Sequence, residues 1–298
     1  ILLLAVEASD ETFCSLKSSA RTPKAGTMAE ESKAKRIKVD GVSGGEDSQG
    51  KQYSSIDEMW KAELAGADPS SQNGWYGKGV KYWEDVDATV DGVLGGFGTV
   101  TDVDLKESHD FIKDLQKKGI LNITTPSRTV DCGAGIGRIA EGMLTKLFDR
   151  CDLVEPVKHF LDKARERLTG QNGGGTFYEL GLQDWEPEEK SYDLIWVQWV
   201  IGHLTDEDFA AFFHRCRKAL KPGGVIVLKE NTCKTGFIVD KDDSSVTRSD
   251  AYLTGLFKSA GMDLVAKKYQ EEFPQAPIPI PLTPERKHPR QGTAGPLS

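Results

Sequence analysis

The stretch Asp131-Cys132-Gly133-Ala134-Gly135-Ile136-Gly137-Arg138 decides the reading of this chain. A β-prone pair, Thr129-Val130, leads into it, and Ile139, Met143, Leu144 and Leu147 follow at helical spacing. The glycines therefore stand at a strand-to-helix turn, where a residue without a side chain lets the backbone bend sharply and approach a ligand. The helix start beyond them offers free N–H groups and a partial positive charge, a seat for a nucleotide-like or carboxylate-bearing cofactor. A dinucleotide fingerprint would place its third glycine at position 138, which is Arg here. A large cation there disfavours a nicotinamide cofactor and suits one that carries a carboxylate, such as the methionine end of S-adenosylmethionine. The alternative reading of the glycines alone is an ordinary turn between a strand and a helix.

Beyond this turn, strands near 128–132, 152–155, 176–180, 192–197, 224–230 and 263–269 alternate with helices near 137–148, 157–168, 206–219 and 249–260. Such alternation predicts an α/β fold with a mainly parallel sheet covered on both faces. Ligands of such sheets sit beyond the carboxyl ends of the strands, which brings distant motifs together. Glu155 ends the second strand, placed to accept hydrogen bonds from ribose hydroxyls. Leu182 and Gln183 follow the third strand, where an adenine would lie. Gln198, Trp199 and His203 follow the fourth, and the spacing of Trp199 and His203 allows one helical face. Asn231 follows the fifth. Asp240-Lys241-Asp242-Asp243 then reads either as a solvated loop or, beside the cleft, as a seat for a cationic substrate.

The 298 residues are 38% hydrophobic, enough for one α/β domain with appendages. A net charge of −8 disfavours a nucleic-acid surface and suits a basic partner. The five cysteines lack C-x-x-C pairing and read as reduced intracellular thiols; no metal site is expected. No apolar run is long enough to span a bilayer, so no membrane partner is expected. Residues 1–52 read as a disordered extension, with Met28-Ala29-Glu30-Glu31 resembling a natural start and the residues before it an upstream extension or the remnant of a transit peptide. Within this stretch, Lys35-Arg36-Ile37-Lys38 is either an import signal or a solvated charge run. Residues 53–120 read as a helical cap followed by the Gly-rich loop Thr89–Gly98, with helices expected within 53–73 and around 106–118. In Trp75-Tyr76-Gly77-Lys78-Gly79-Val80-Lys81-Tyr82-Trp83 the aromatics either cap the core or face a ligand. Residues 121–273 form the main domain, and 274–298, with seven of the 13 prolines, a proline-rich mobile tail.

The turn motif, Val90-Asp91-Gly92-Val93-Leu94-Gly95-Gly96, Gln198-Trp199-Val200-Ile201-Gly202-His203-Leu204-Thr205-Asp206 and Asp243-Ser244-Ser245-Val246 together resemble the protein α-N-terminal methyltransferases over residues 76–273. The resemblance implies a seven-stranded, Rossmann-like S-adenosylmethionine-dependent methyltransferase sheet with an N-terminal helical cap. It also implies methylation of the N-terminal α-amine of proteins that begin X-Pro-Lys or X-Pro-Arg; the expected location, with the basic cluster read as an import signal, is the nucleus and the cytoplasm. Carried over by motif, Gly133, Arg138, Glu155, Leu182, Gln183 and Gln198 hold the cofactor. Trp83, Leu94, Trp199, Asn231, Asp240 and Ser245 bind the substrate, and Asp243 with His203 forms the catalytic pair. Two departures stand out. Glu230 occupies a position where the family commonly has Asp, and Pro274-Gln275-Ala276-Pro277 replaces the start of the family's closing strand. The expectation is a sheet short of that strand, with an open edge and a weakened substrate channel. The alternatives are a cofactor-binding protein without useful turnover and a methyltransferase of small amines.

Overall fold

In a computed structural model of the chain, residues 1–8, 42–170 and 173–270 are described. The main sheet has seven strands in the order β11-β1-β8-β7-β4-β5-β6. These are β1 (Leu2–Ala8), β4 (Arg128–Cys132), β5 (Arg150–Val154), β6 (Gly174–Tyr178), β7 (Tyr192–Gln198), β8 (Leu220–Glu230) and β11 (Met262–Tyr269). The strands from β4 to β8 pair in parallel, as the alternation of strands and helices predicts. Every residue of β7 is buried, the mark of a strand covered on both faces.

The helices that cover the sheet are α4 (Thr101–Lys117), α5 (Thr145–Leu147) with the wide helical turn Ala140–Leu144 before it, α6 (Lys158–Leu168), α7 (Asp206–Ala219) and α8 (Asp250–Ser259). Thr205 and Ser249 cap the starts of α7 and α8, each accepting from a backbone N–H three residues on. The cap consists of α1 (Ile56–Glu63), α2 (Trp75–Glu84) and the short α3 (Val90–Val93), whose first turn is closed by Thr89. Ser55 caps α1, while Glu58 reaches back to Ser54. The Gly-rich loop read over 89–98 thus begins as a helical turn.

The N-terminal stretch corrects two expectations. Residues 2–8 are a strand, antiparallel to both β8 and β11, with Leu2 opposite Glu230 and Leu4 opposite Leu228. Leu2, Leu4 and Val6 enter the core on one face of the sheet, and Leu3 and Ala5 enter the other. An unbroken apolar run is the pattern of a strand buried on both sides. The sheet therefore has no open edge beside β8, because β1 closes it. Residues 42–52 are ordered as well: β2 (Gly45–Asp47) and β3 (Gln52–Tyr53) form a hairpin. The basic cluster at 35–38 and the proline-rich tail lie outside the described residues.

A second sheet, β10-β9-β2-β3, stands over the carboxyl ends of the main strands. Its hairpin, β9 (Phe237–Asp240) and β10 (Ser245–Arg248), is what the sequence reads as an acidic loop. Arg248, 1% exposed, anchors it by donating to the carbonyl of Leu204 at 2.7 Å and to Asp206 at 2.9 Å.

Candidate active site

The cleft lies at the carboxyl ends of β4, β5 and β7 and is closed above by α2. Gly133 stands at φ +72°, and a Cβ there would lie 2.5 Å from the side chain of Val200. The turn is thus both left-handed and too close to the neighbouring loop for any side chain. Gly137, at φ +73°, packs on Ala164 of α6, where a Cβ would sit 3.0 Å from the alanine methyl. The close helix packing that a dinucleotide fold obtains from a glycine at 138 is provided here by Gly137, which leaves Arg138 to face the cleft.

Arg138 is 6% exposed and donates to Asp104 at 2.7 Å. Asp104, fully buried on α4, also accepts from Gln198 at 3.0 Å and pairs with Lys229, itself fully buried. Lys229 donates further to Ser108 Oγ at 2.9 Å. Burial and the neighbouring Arg138 hold the Lys229 ammonium below its usual range, against the pull of Asp104. Arg138 and Lys229 thus share the Asp104 carboxylate beside the glycine turn, and of the two cations it is Arg138 that lines the cleft. Asp131, at the end of β4, accepts from Ala140 N–H and is pushed up to about 7 by burial, against the pull of Arg138.

Glu155 accepts from Gly135 N–H at 2.8 Å and from Val157 N–H at 2.9 Å, so its carboxyl ties the glycine turn to the loop after β5. Burial pushes it up to about 7. Leu182 and Gln183 line the cleft from a turn past β6. All six residues expected to hold the cofactor, Gly133, Arg138, Glu155, Leu182, Gln183 and Gln198, border this one cleft.

Trp83, Leu94, Trp199 and His203 border it too, and Ser244 joins them from the hairpin. Trp199 does not share a helical face with His203: it stands at φ +52°, before the single tight turn Ile201–His203. A bulky residue in that backbone region is strained. The Trp199 N–H holds it by donating to the Lys229 carbonyl at 3.0 Å, and its ring faces the cations of Arg138 at 5.4 Å and Lys229 at 6.0 Å. Its indole Nε1 is buried and has no partner.

His203 is held on all sides. Trp75 Nε1 donates to its carbonyl at 2.6 Å and Trp83 Nε1 to its Nε2 at 3.1 Å, so the proton sits on Nδ1, which donates to the Ser244 carbonyl at 3.1 Å. Of the expected pair, it is Asp243 that has an uncommitted atom: its Oδ1 is buried without a partner. Gly79 lets α2 approach this turn, since a Cβ there would be 3.1 Å from the Asp243 carbonyl. Burial, then Asp243 and Asp242, raise the Asp240 carboxyl, and the same three acids add to burial in raising the Tyr82 phenol on α2. Asn231, Asp240, Asp243 and Ser245 all stand outside the residues that line the cleft, with Ser244 the hairpin residue that reaches it.

A sequence model of the AdoMet-dependent proline di-methyltransferases matches residues 71–282. The chain belongs to this family. It is 46% identical over 238 residues to alpha N-terminal protein methyltransferase 1 of Arabidopsis thaliana, covering 78% of this chain and 86% of that one. It is 45% identical over 202 residues to N-terminal Xaa-Pro-Lys N-methyltransferase 1 of Bos taurus, covering 67% of this chain and 90% of that one. A SAM-dependent methyltransferase structure from Leishmania major superposes with a TM-score of 0.74 at 44% identity, covering 85% of this chain and 96% of that one. The cofactor is S-adenosylmethionine, and the site fits it: the glycine cradle admits backbone approach, and the Arg138 guanidinium in the lining matches a carboxylate. Asp104 is a buried contributor that the motifs do not reveal, as is its partner Lys229. The signal of Asp104 lies in the phase of α4, where the buried positions Asp104, Glu107, Ser108, Phe111, Ile112 and Leu115 put acids on the apolar stripe.

Proposed function

We propose that this protein methylates the N-terminal α-amine of proteins that begin Xaa-Pro-Lys or Xaa-Pro-Arg. The observation that carries this reading is the uncommitted Asp243 Oδ1 in an acidic hairpin turn whose next residue, Ser244, lines the cofactor cleft. The names of the Arabidopsis and Bos taurus relatives support it. The cofactor supplies a methyl group activated on a sulfonium.

The nucleophile must be a neutral amine, and an α-amine with a pKa of about 8 is mostly protonated at neutral pH. Asp243 accepts that proton at Oδ1 and orients the lone pair. His203, with both nitrogens committed, fixes Trp83 and the turn that carries Asp243. Trp199 gives the tight wall that a proline at the second position fits, with its Nε1 free to donate to a peptide carbonyl. Asn231 and Ser245 contact the peptide from the rim. Asp240 and its neighbours attract the cationic third residue. Arg138, Gln198 and the glycine turn hold the cofactor so that amine and methyl meet in line, which accounts for much of the rate. The basic cluster at 35–38 supports a place in the nucleus as well as the cytoplasm.

Mass spectrometry of a Ser-Pro-Lys-Arg peptide incubated with protein and S-adenosylmethionine tests this. Gains of about 14 mass units per methyl are expected, absent with an N-acetylated peptide and strongly reduced with Asp243→Asn. Methylation of the acetylated peptide would overturn the assignment of the α-amine.

A further inference from the structure

The family match begins at residue 71, so β2, β3 and α1 lie before it. They are nevertheless bound to the hairpin that faces the substrate. β2 pairs in parallel with β9, placing Gly45 opposite Phe237 and Asp47 opposite Val239. Ser48 N–H donates to the Val239 carbonyl at 2.8 Å, and Lys241 N–H donates to Ser48 Oγ at 3.1 Å. From α1, Glu63 forms an ion pair with Lys241, and its side chain is only 9% exposed. Tyr53 OH bridges Glu63 and Asp47, at 3.1 Å from each. Trp60 packs edge-on against Trp75, whose indole holds the His203 carbonyl. The segment therefore grips the acidic turn from one side and the histidine from the other.

The capture of Lys241 has a chemical consequence. Lys241 is the one cation within Asp240-Lys241-Asp242-Asp243. An unpaired ammonium tethered there would have a local concentration on the millimolar scale (about that of a short flexible linker) and would compete with any cation arriving from solution. Glu63 removes that competitor and leaves the acidic turn open to a cation from solution.

We propose that residues 42–63 form a clamp on the substrate hairpin, and that Glu63 is a specificity-determining positioning residue because it withholds Lys241 from the acidic turn. This rests on the reading that the substrate is a cationic N-terminal tail. Because α1 and β2 are joined to the hairpin by further contacts, Glu63→Gln keeps the clamp's shape and removes only the charge.

Three proteins are compared: wild type, Glu63→Gln, and Glu63→Gln with Lys241→Met. Methylation kinetics on Ser-Pro-Lys-Arg are measured beside calorimetric binding of the same peptide in the presence of S-adenosylhomocysteine. The Glu63→Gln variant is expected to raise peptide KM and Kd by about five- to tenfold, with kcat within about twofold and cofactor affinity unchanged. Adding Lys241→Met is expected to restore both to within about twofold of wild type, because the competing cation is gone. Unchanged peptide affinity in Glu63→Gln overturns the proposal. A loss that Lys241→Met does not rescue also overturns it, since that outcome marks a structural role alone. If wild type binds the peptide but transfers no methyl group, the proposed function fails while binding still reads the clamp. If wild type does not bind the peptide at all, both fail.

Discussion

Asp104 holds three groups of the cleft without reaching the reacting atoms. Its carboxylate orients Arg138 and Gln198 and neutralises Lys229. Removing one partner of a buried pair leaves the other unpaired, at a cost of about 3–5 kcal/mol. Asp104→Asn should therefore lower the thermal unfolding midpoint. Adding Lys229→Met should recover part of that loss, because one of the two stranded cations is gone. Cofactor affinity should stay at least about tenfold weaker in the double variant, since Arg138 has lost the group that aims it. Calorimetry with S-adenosylhomocysteine decides: wild-type affinity in the double variant would make Asp104 a stability residue only. The contrast with Gly133 and Arg138 explains what was legible at this scale. Those two stand in one contiguous turn, so a single motif of the resemblance assigns both. Asp104 meets Arg138 across 34 residues, and only the docking of α4 brings them together. His203 was legible as a site residue, but its bonds were not, because the indoles of Trp75 and Trp83 that hold it come from a helix more than a hundred residues earlier.

Among the elements, the strands that alternate with helices from residue 128 onward could be read because each carries its own apolar pattern. The two additions could not, for different reasons. The run Leu2-Leu3-Leu4-Ala5-Val6 has no periodicity of its own. A segment buried on both faces looks the same whether it is a strand, a leader or a buried helical turn. Its sheet partners, β8 and β11, lie more than two hundred residues away. The hairpin β9–β10 was hidden by its turn, where the density of acids reads as solvated loop. Since β1 sits between β8 and β11, it is central and not decorative. Leu4 is completely buried, and Leu4→Ala should cost about 2–5 kcal/mol, the range for emptying a core position. Urea unfolding followed by tryptophan fluorescence reads this directly. A midpoint equal to that of wild type would mean that β1 does not close the sheet in solution. The closure also bears on turnover, because Leu2 pairs with Glu230, the residue before Asn231 on the rim.

At the level of the whole molecule, a net charge of −8 and a cleft with two different polarities divide the work of binding. The cofactor end holds its cations in buried groups: Lys229 is fully buried and Arg138 nearly so. The substrate end holds its negative charge on a rim, where Asp242 is exposed and Asp240 and Asp243 are half-buried. Salt screens exposed charges over about 8–10 Å and reaches buried pairs far less. The two ligands should therefore respond differently to ionic strength. Raising sodium chloride from about 0.05 M to about 0.5 M should weaken Ser-Pro-Lys-Arg binding by about tenfold, while S-adenosylhomocysteine binding changes by less than about twofold. A Ser-Pro-Gln-Gln peptide should bind more weakly at low salt and lose little on raising it, because it brings no side-chain cation to the rim. Equal salt dependence of the two peptides would remove the acidic hairpin from substrate selection, and the attraction would then belong to the α-amine alone.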